Sequence, residues 1–218
     1  MRVSSIFLPL SASGPKDLVE RLVQLVAGLF LYGVALALMI RGGIGVAPWD
    51  VLSLGISSST GLGYGLVTNL TAVAVLLLWV PLRQRLGLGT VINALLIGPS
   101  ADLALWLIPP APSLWVGVPL FLFGLVLLAF ATGLYISADF GPGPRDGLMT
   151  GLVERTGWRV WIVRTLIEGS VLVIGFLLGG PVGVGPVLVA FGVGPLIGWF
   201  LPRLTRMRGS RTRLLARR

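Results

Sequence analysis

The chain contains no cysteine and no histidine. Their absence excludes disulfides, thiol nucleophiles, Cys/His metal centres and histidine proton relays. No metal, no cofactor and no catalytic residue is expected. Charge is also scarce: 11% of the 218 residues are Asp, Glu, Lys or Arg, against about 25% in a soluble domain. A chain that is 55% hydrophobic, with a mean hydropathy of +0.94, cannot clothe a water-facing surface, and it reads as an integral membrane protein. Acids are rarer than bases, giving a net charge of +9. That excess does not imply a nucleic-acid partner. Seven of the 16 arginines lie after residue 202, beyond the last apolar span, where a basic tail reads as a cytoplasmic anchor near anionic lipid. Arg2 and the apolar run to Leu10 resemble a signal peptide only faintly, because the run is short and no A-x-A site follows; a surface-lying cytoplasmic lead-in is expected.

What the chain does have is a repeat. Residues 28–105 align without a gap with residues 124–201, with 25 identities over 78 positions. Gly45, Pro48, Asp50, Gly55 and Gly61 fall on Gly141, Pro144, Asp146, Gly151 and Gly157, and Gly98-Pro99 falls on Gly194-Pro195. The matches are mostly residues that fix backbone shape, so one structural unit is used twice.

Six stretches are long and apolar enough to cross a bilayer, near 19–40, 64–82, 88–108, 116–138, 159–178 and 185–202. Pro48–Thr60 and its counterpart Pro144–Thr156 are too short to span, and each follows a Gly-rich turn. They are expected as short re-entrant or interfacial helices. Arg2, Lys16, Arg21, Arg83, Arg85, Arg145, Arg155 and the tail alternate with a first connection that carries only Arg41 and with connections at 109–115 and 179–184 that carry no Lys or Arg, which predicts both termini in the cytoplasm. The expected fold is therefore all-α: six transmembrane helices as two inverted three-helix repeats, each with one short helix. Segments follow as 1–18 (cytoplasmic), 19–108 (repeat one), 109–115 (external linker), 116–202 (repeat two) and 203–218 (basic tail). Inverted repeats with interrupted helices are the construction of many secondary transporters; a duplicated membrane scaffold is the alternative.

The candidate site gathers at the short helices. Pro48 and Pro144 suit a first helical position, and Asp50 and Asp146 then fall in the first turn, where their charge complements exposed N–H groups. Helix capping is one reading of these carboxylates. The other is that the helix N-termini, with Arg145, form a polarised pocket for an anion or carboxylate. Trp49 and Arg145 occupy equivalent places, one a stacking wall and one a charged wall. Arg164 and Glu168 lie one turn apart inside the fifth span, where charges need partners or water; they form either a structural ion pair or a substrate clamp with a titrating carboxylate. Their counterparts are Thr68 and Ala72, so the pair belongs to one copy only. Trp49, Asp50, Asn93, Arg145, Asp146, Thr150 and Arg164 form the candidate substrate-binding set, and Asp50, Asp146 and Glu168 the candidate proton-coupling set. Asn69 and Asn93 also read as helix–helix hydrogen-bonding groups. Asp102, in the third span, calls for a water-lined cavity or an arginine. Gly98-Pro99 and Gly194-Pro195 are expected to kink the third and sixth spans. No P-loop and no nucleophile–base pair is present, so an enzyme is not expected.

Arg41-Gly-Gly-Ile-Gly-Val-Ala-Pro-Trp-Asp-Val-Leu52, Leu88-Gly-Thr-Val-Ile-Asn-Ala-Leu-Leu-Ile-Gly-Pro99 and Gly141-Pro-Gly-Pro-Arg-Asp-Gly-Leu-Met-Thr150 carry a resemblance to the YczE-type (YczE/YyaS/YitT) integral membrane proteins. Val163-Arg-Thr, Ile167-Glu168 and the segment Gly179–Gly185 extend it. Pro186 departs from the threonine expected by analogy with Thr90. The resemblance implies a bacterial, multi-pass inner-membrane protein. The leading expectation is a small transporter for an anionic or zwitterionic small molecule. The alternative is an accessory protein acting through a protein partner, and a homodimer is left open.

Overall fold

The computed structural model describes residues 14–215, with side chains through residue 206. The expected surface-lying lead-in lies outside the described residues. Within them the chain is entirely helical: α1 (Pro15–Gly42), α2 (Pro48–Thr60), α3 (Tyr64–Leu82), α4 (Leu88–Leu107), α5 (Leu114–Ser137), α6 (Pro144–Thr156), α7 (Val160–Leu177) and α8 (Gly185–Leu215). Six of these are long and apolar enough to cross a membrane, and α2 and α6 are not. The apolar part of α8 ends near Arg206, but the helix runs on into the basic tail.

Lengths and stops follow from sequence. Proline opens α1, α2 and α6, where the missing N–H costs nothing. Left-handed glycines close the same three helices, at Gly43, Gly61 and Gly157. The exterior is what a bilayer requires. Large apolar side chains such as Leu77, Val80, Leu107, Phe123 and Phe176 face outward, where hydrocarbon replaces water as solvent. Four of the seven tryptophans flank connections between helices, Trp106 and Trp115 between α4 and α5, and Trp158 and Trp161 between α6 and α7, all four exposed. Such aromatic belts mark the two membrane–water interfaces.

The core is built around α1 and α5, equivalent helices that pack against each other antiparallel. Gly28 meets Tyr135 near one end of the pair, and Gly42 meets Gly117 near the other. Around this pair the packing recurs at the 96-residue offset. Helix α1 packs on α4 as α5 packs on α8, and the short helices cross over, α2 onto α7 and α6 onto α3. The crossed contacts exchange bulk between partners. Trp79 of α3 lies over Gly147 of α6, whereas at the equivalent contact Gly175 of α7 lies against Val51 and Leu52 of α2.

Candidate functional site

The two short helices are held by the same backbone device. Gly45 (φ 103°) and Gly141 (φ 109°) take conformations that favour glycine. A β-carbon on Gly45 would lie 2.8 Å from the Gly183 nitrogen, and one on Gly141 would lie 3.1 Å from the Gly87 α-carbon. That close approach lets the Gly185 amide donate to the Ile44 carbonyl at 3.0 Å and the Gly89 amide donate to the Phe140 carbonyl at 2.9 Å. These are equivalent bonds, each tying one repeat's short-helix lead-in to the start of the other repeat's last helix. Thr90 adds a hydroxyl bond to the Pro142 carbonyl at 2.7 Å, which Pro186 cannot reproduce.

So anchored, the first turns of α2 and α6 bring their charges together. Asp50 is 1% exposed. Its carboxylate lies 3.6 Å from the Arg145 guanidinium and accepts the Tyr64 hydroxyl at 3.0 Å. Arg145 also lies over the Trp49 ring, 5.1 Å from its centre, so the stacking wall and the charged wall are in contact. Asp146 accepts the Tyr135 hydroxyl at 3.1 Å and, among the described residues, has no cation within 4 Å. Asp50 and Asp146 do lie in the first turns of α2 and α6, where the capping reading puts them, but they are not the N-cap residues themselves. The N-cap positions are Ala47 and Gly143, without a side-chain cap bond, and both carboxylates take phenolic hydroxyls.

These groups line two cavities. The larger, about 180 Å³, also receives Arg164 and Glu168, whose side chains pair at 2.8 Å. It therefore holds three carboxylates and two guanidinium groups, with both guanidinium groups already paired. The smaller, about 70 Å³, is lined by Thr68, Asn69, Ala72 and Asn93. Tyr32, Tyr135, Arg145 and Asp146 border both.

Of the expected set, Trp49, Asp50, Arg145, Asp146, Arg164 and Glu168 converge on the larger cavity, and Asn93 lies on the smaller. Thr150 lines neither; its hydroxyl bonds the Asp146 carbonyl one turn back at 3.0 Å. Among the described residues Asp102 has no arginine within 4 Å, and it lines neither of these two cavities. It accepts the Gly65 amide at 2.8 Å, satisfying an orphan donor in the first turn of α3. Sequence reasoning missed the tyrosines. The chain has only three; Tyr32 borders both cavities, and Tyr64 and Tyr135 hydrogen-bond the site aspartates. Their rarity, each within an otherwise apolar span, is the signal that marks them.

An all-helical chain with six apolar spans and charges gathered in an interior cavity is a multi-pass membrane protein. Residues 19–202 match the family of unknown function DUF6198, and the chain belongs to that family. It is 38% identical over 183 residues to an uncharacterized protein of Haemophilus influenzae, covering 84% of each chain. It is 31% identical over 191 residues to the uncharacterized membrane protein YczE of Bacillus subtilis, covering 86% of this chain and 88% of that one. With the uncharacterized protein YyaS of the same organism it shares 29% identity over 193 residues, 85% and 94% of the two chains. These relatives bear out the YczE-type resemblance. No solved structure matches the chain.

Proposed function

We propose that the protein is a small secondary transporter of the bacterial inner membrane, built from two inverted repeats, and that it carries a zwitterionic or anionic small molecule. It acts as a carrier and not as an enzyme. Both termini are cytoplasmic, and α2 and α6 enter the membrane from opposite faces. The antiparallel packing of the equivalent helices α1 and α5 supports the inversion, since a twofold axis across an antiparallel spanning pair lies in the membrane plane.

The single observation that carries the reading is the cavity where the equivalent first turns of α2 and α6 meet. Charges within a membrane are costly and are kept where they serve a pathway. Here Asp50, Asp146 and Glu168 face Arg145 and Arg164, one negative charge in excess when all are ionised. A coupling proton balances that excess, and so does the ammonium of a zwitterion facing Asp146. Both guanidinium groups already have carboxylates, so a simple anion must displace one, and a zwitterion exchanges charge for charge. Zwitterions are the favoured cargo.

The test uses the absence of native cysteine. Met149→Cys and Val193→Cys place single thiols on the larger cavity, and Ala72→Cys places one on the smaller. An impermeant maleimide applied to either face of oriented vesicles should label 149 and 193 from one side at rest. A pH gradient or a panel of amino-acid-like zwitterions should slow that labelling and open position 72 from the opposite side. Labelling that stays one-sided under every condition, with no panel member raising the melting temperature, refutes the carrier. It favours instead an accessory protein acting through the helical arginine-bearing extension of α8.

A further inference from the structure

The two cavities are made of equivalent positions. Arg164, Glu168 and Val189 on the larger correspond to Thr68, Ala72 and Asn93 on the smaller. Likewise Pro48, Trp49 and Asp50 correspond to Pro144, Arg145 and Asp146. The same chamber is thus formed twice, on two sides of a partition of Tyr32, Tyr135, Arg145 and Asp146. The chambers differ in size because the helix pairs beside them differ.

Beside the smaller chamber, α3 and α4 are packed and joined by side-chain bonds. Pro99 has no amide hydrogen, so the Leu95 carbonyl four residues back loses its helical donor. Asn69 of α3 supplies one, donating from Nδ2 to Leu95 O at 3.0 Å. Its Oδ1 accepts the Gly98 amide at 3.1 Å. One turn toward the start of α3, Asp102 accepts the Gly65 amide. Backbones touch here: a β-carbon on Gly98 would collide with the Gly65 carbonyl.

Beside the larger chamber, the equivalent pair α7 and α8 is parted. Pro195 removes the same kind of donor, leaving the Phe191 carbonyl in the place of Leu95. Thr165 stands where Asn69 stands and Gly198 where Asp102 stands. Among the described residues no hydrogen bond joins α7 to α8. A β-carbon on Gly194 or Gly198 would meet nothing within 4 Å. One seam is clasped and its counterpart is open.

We propose that these seams are alternating gates, and that Asn69 and Asp102 are the clasp that holds the α3–α4 gate shut while the α7–α8 gate stands open. This rests on the carrier reading above. In the opposite state α7 closes on α8 as α3 now closes on α4, the smaller chamber expands, and cargo on Arg145 and Asp146 changes face without leaving them. The clasp is present in one repeat only. The arrangement is therefore biased toward the state seen here, which the arginine pattern makes inward-facing, because Gly65 and Asp102 lie at the pole of the 109–115 connection, which carries no Lys or Arg.

The experiment measures closure of the open seam. Trp161→Cys and Gly198→Cys replace the counterparts of Gly65 and Asp102, and a short bifunctional thiol reagent reports their approach. With the clasp intact, cross-linking should be slow. Asn69→Ala or Asp102→Ala should raise the yield several-fold and, separately, open Ala72→Cys to an impermeant reagent from the 109–115 side. Asp102→Asn keeps an oxygen for the Gly65 amide and should stay at the parent level; this separates clasp loss from general loosening. Only variants that remain monodisperse are compared, and either alanine change alone suffices. Equal cross-linking with clasp intact and broken overturns the gate assignment and leaves the carrier standing. A pair that never cross-links in any variant or condition, with position 72 always closed, removes both.

Discussion

Asp50 and Arg145 are neighbours in space because they are near-neighbours in the repeat: Arg145 occupies in α6 the place that Trp49 occupies in α2, one residue before Asp50. Their 3.6 Å contact is thus a bond between two copies of one motif. Asp50 is buried and Arg145 keeps about a quarter of its side chain accessible. Removing either partner strands the other in a poorly solvated place. Asp50→Ala and Arg145→Ala should each lower stability by about 1–3 kcal/mol, below the range for a fully buried pair because the cavity admits water. Thermal unfolding in detergent, followed by tryptophan fluorescence, checks this. The double variant should cost less than the sum of the two. Additivity within about 0.5 kcal/mol would mean that the groups do not interact.

A second prediction concerns the crossed packing of the short helices. A β-carbon on Gly147 would lie 2.0 Å from the Trp79 ring, whose indole N–H donates to the Pro144 carbonyl at 3.0 Å. Gly147→Ala should cost about 1–3 kcal/mol through overpacking, and Trp79→Phe introduced with it should recover part of the loss. Gly169→Ala is the control. Nothing lies within 4 Å of that position, and helix propensity favours alanine there. Melting temperatures of the four proteins decide it.

Arg164 and Glu168 should behave differently. Their pair is well formed, but the side chains are 45% and 26% exposed, and such pairs contribute about 0.2–1 kcal/mol. Replacing both, as Arg164→Met with Glu168→Leu, should leave the melting temperature within about 2 °C. On the carrier reading zwitterions stabilise the parent protein by mass action, and the same variant should abolish that shift. A double variant that keeps its ligand-induced shift makes the pair structural only.

Much of this fold was legible in sequence because it is written in residues with narrow backbone roles. Pro48 and Pro144 opened the short helices where expected, Gly61 and Gly157 closed them, and five of the six spans fall within four residues of the expected bounds, the helix of the sixth span, α8, running on to Leu215. Asn69 was legible as a helix–helix group. The part played by Asp102 was not, because its partner is a backbone amide 37 residues away, and an amide has no sequence signature. Nor were the phenolic hydroxyls that Asp50 and Asp146 accept. Tyr64 and Tyr135 do not occupy equivalent positions in the two repeats, so the internal alignment that exposed the rest of the site hid them. The asymmetry of the two helix seams was half legible: Asn69 against Thr165 and Asp102 against Gly198 stand in the sequence, but their meaning appears only once Pro99 and Leu95 are seen beside Asn69.

The departure at Pro186 gives the last prediction. Thr90 donates to the Pro142 carbonyl and accepts the Gly87 amide at 3.3 Å, tying the start of α4 to the lead-in of α6. The backbone bonds on either side of the repeat are equivalent, Gly89 to Phe140 and Gly185 to Ile44. A hydroxyl at position 186 therefore has the Val46 carbonyl and the Gly183 amide in the places of Pro142 and Gly87. Pro186→Thr should form both bonds. Pro186→Val keeps the shape without the hydroxyl and carries the entropic cost of losing the ring, about 0.4–1 kcal/mol. The threonine variant should exceed the valine variant in stability by about 0.5–1.5 kcal/mol, and Thr90→Val should lose a similar amount. If threonine and valine at 186 melt together while Thr90→Val is destabilised, the two lead-ins are not equivalent in the working protein. The symmetry on which the exchange of chambers depends would then fail at its anchor.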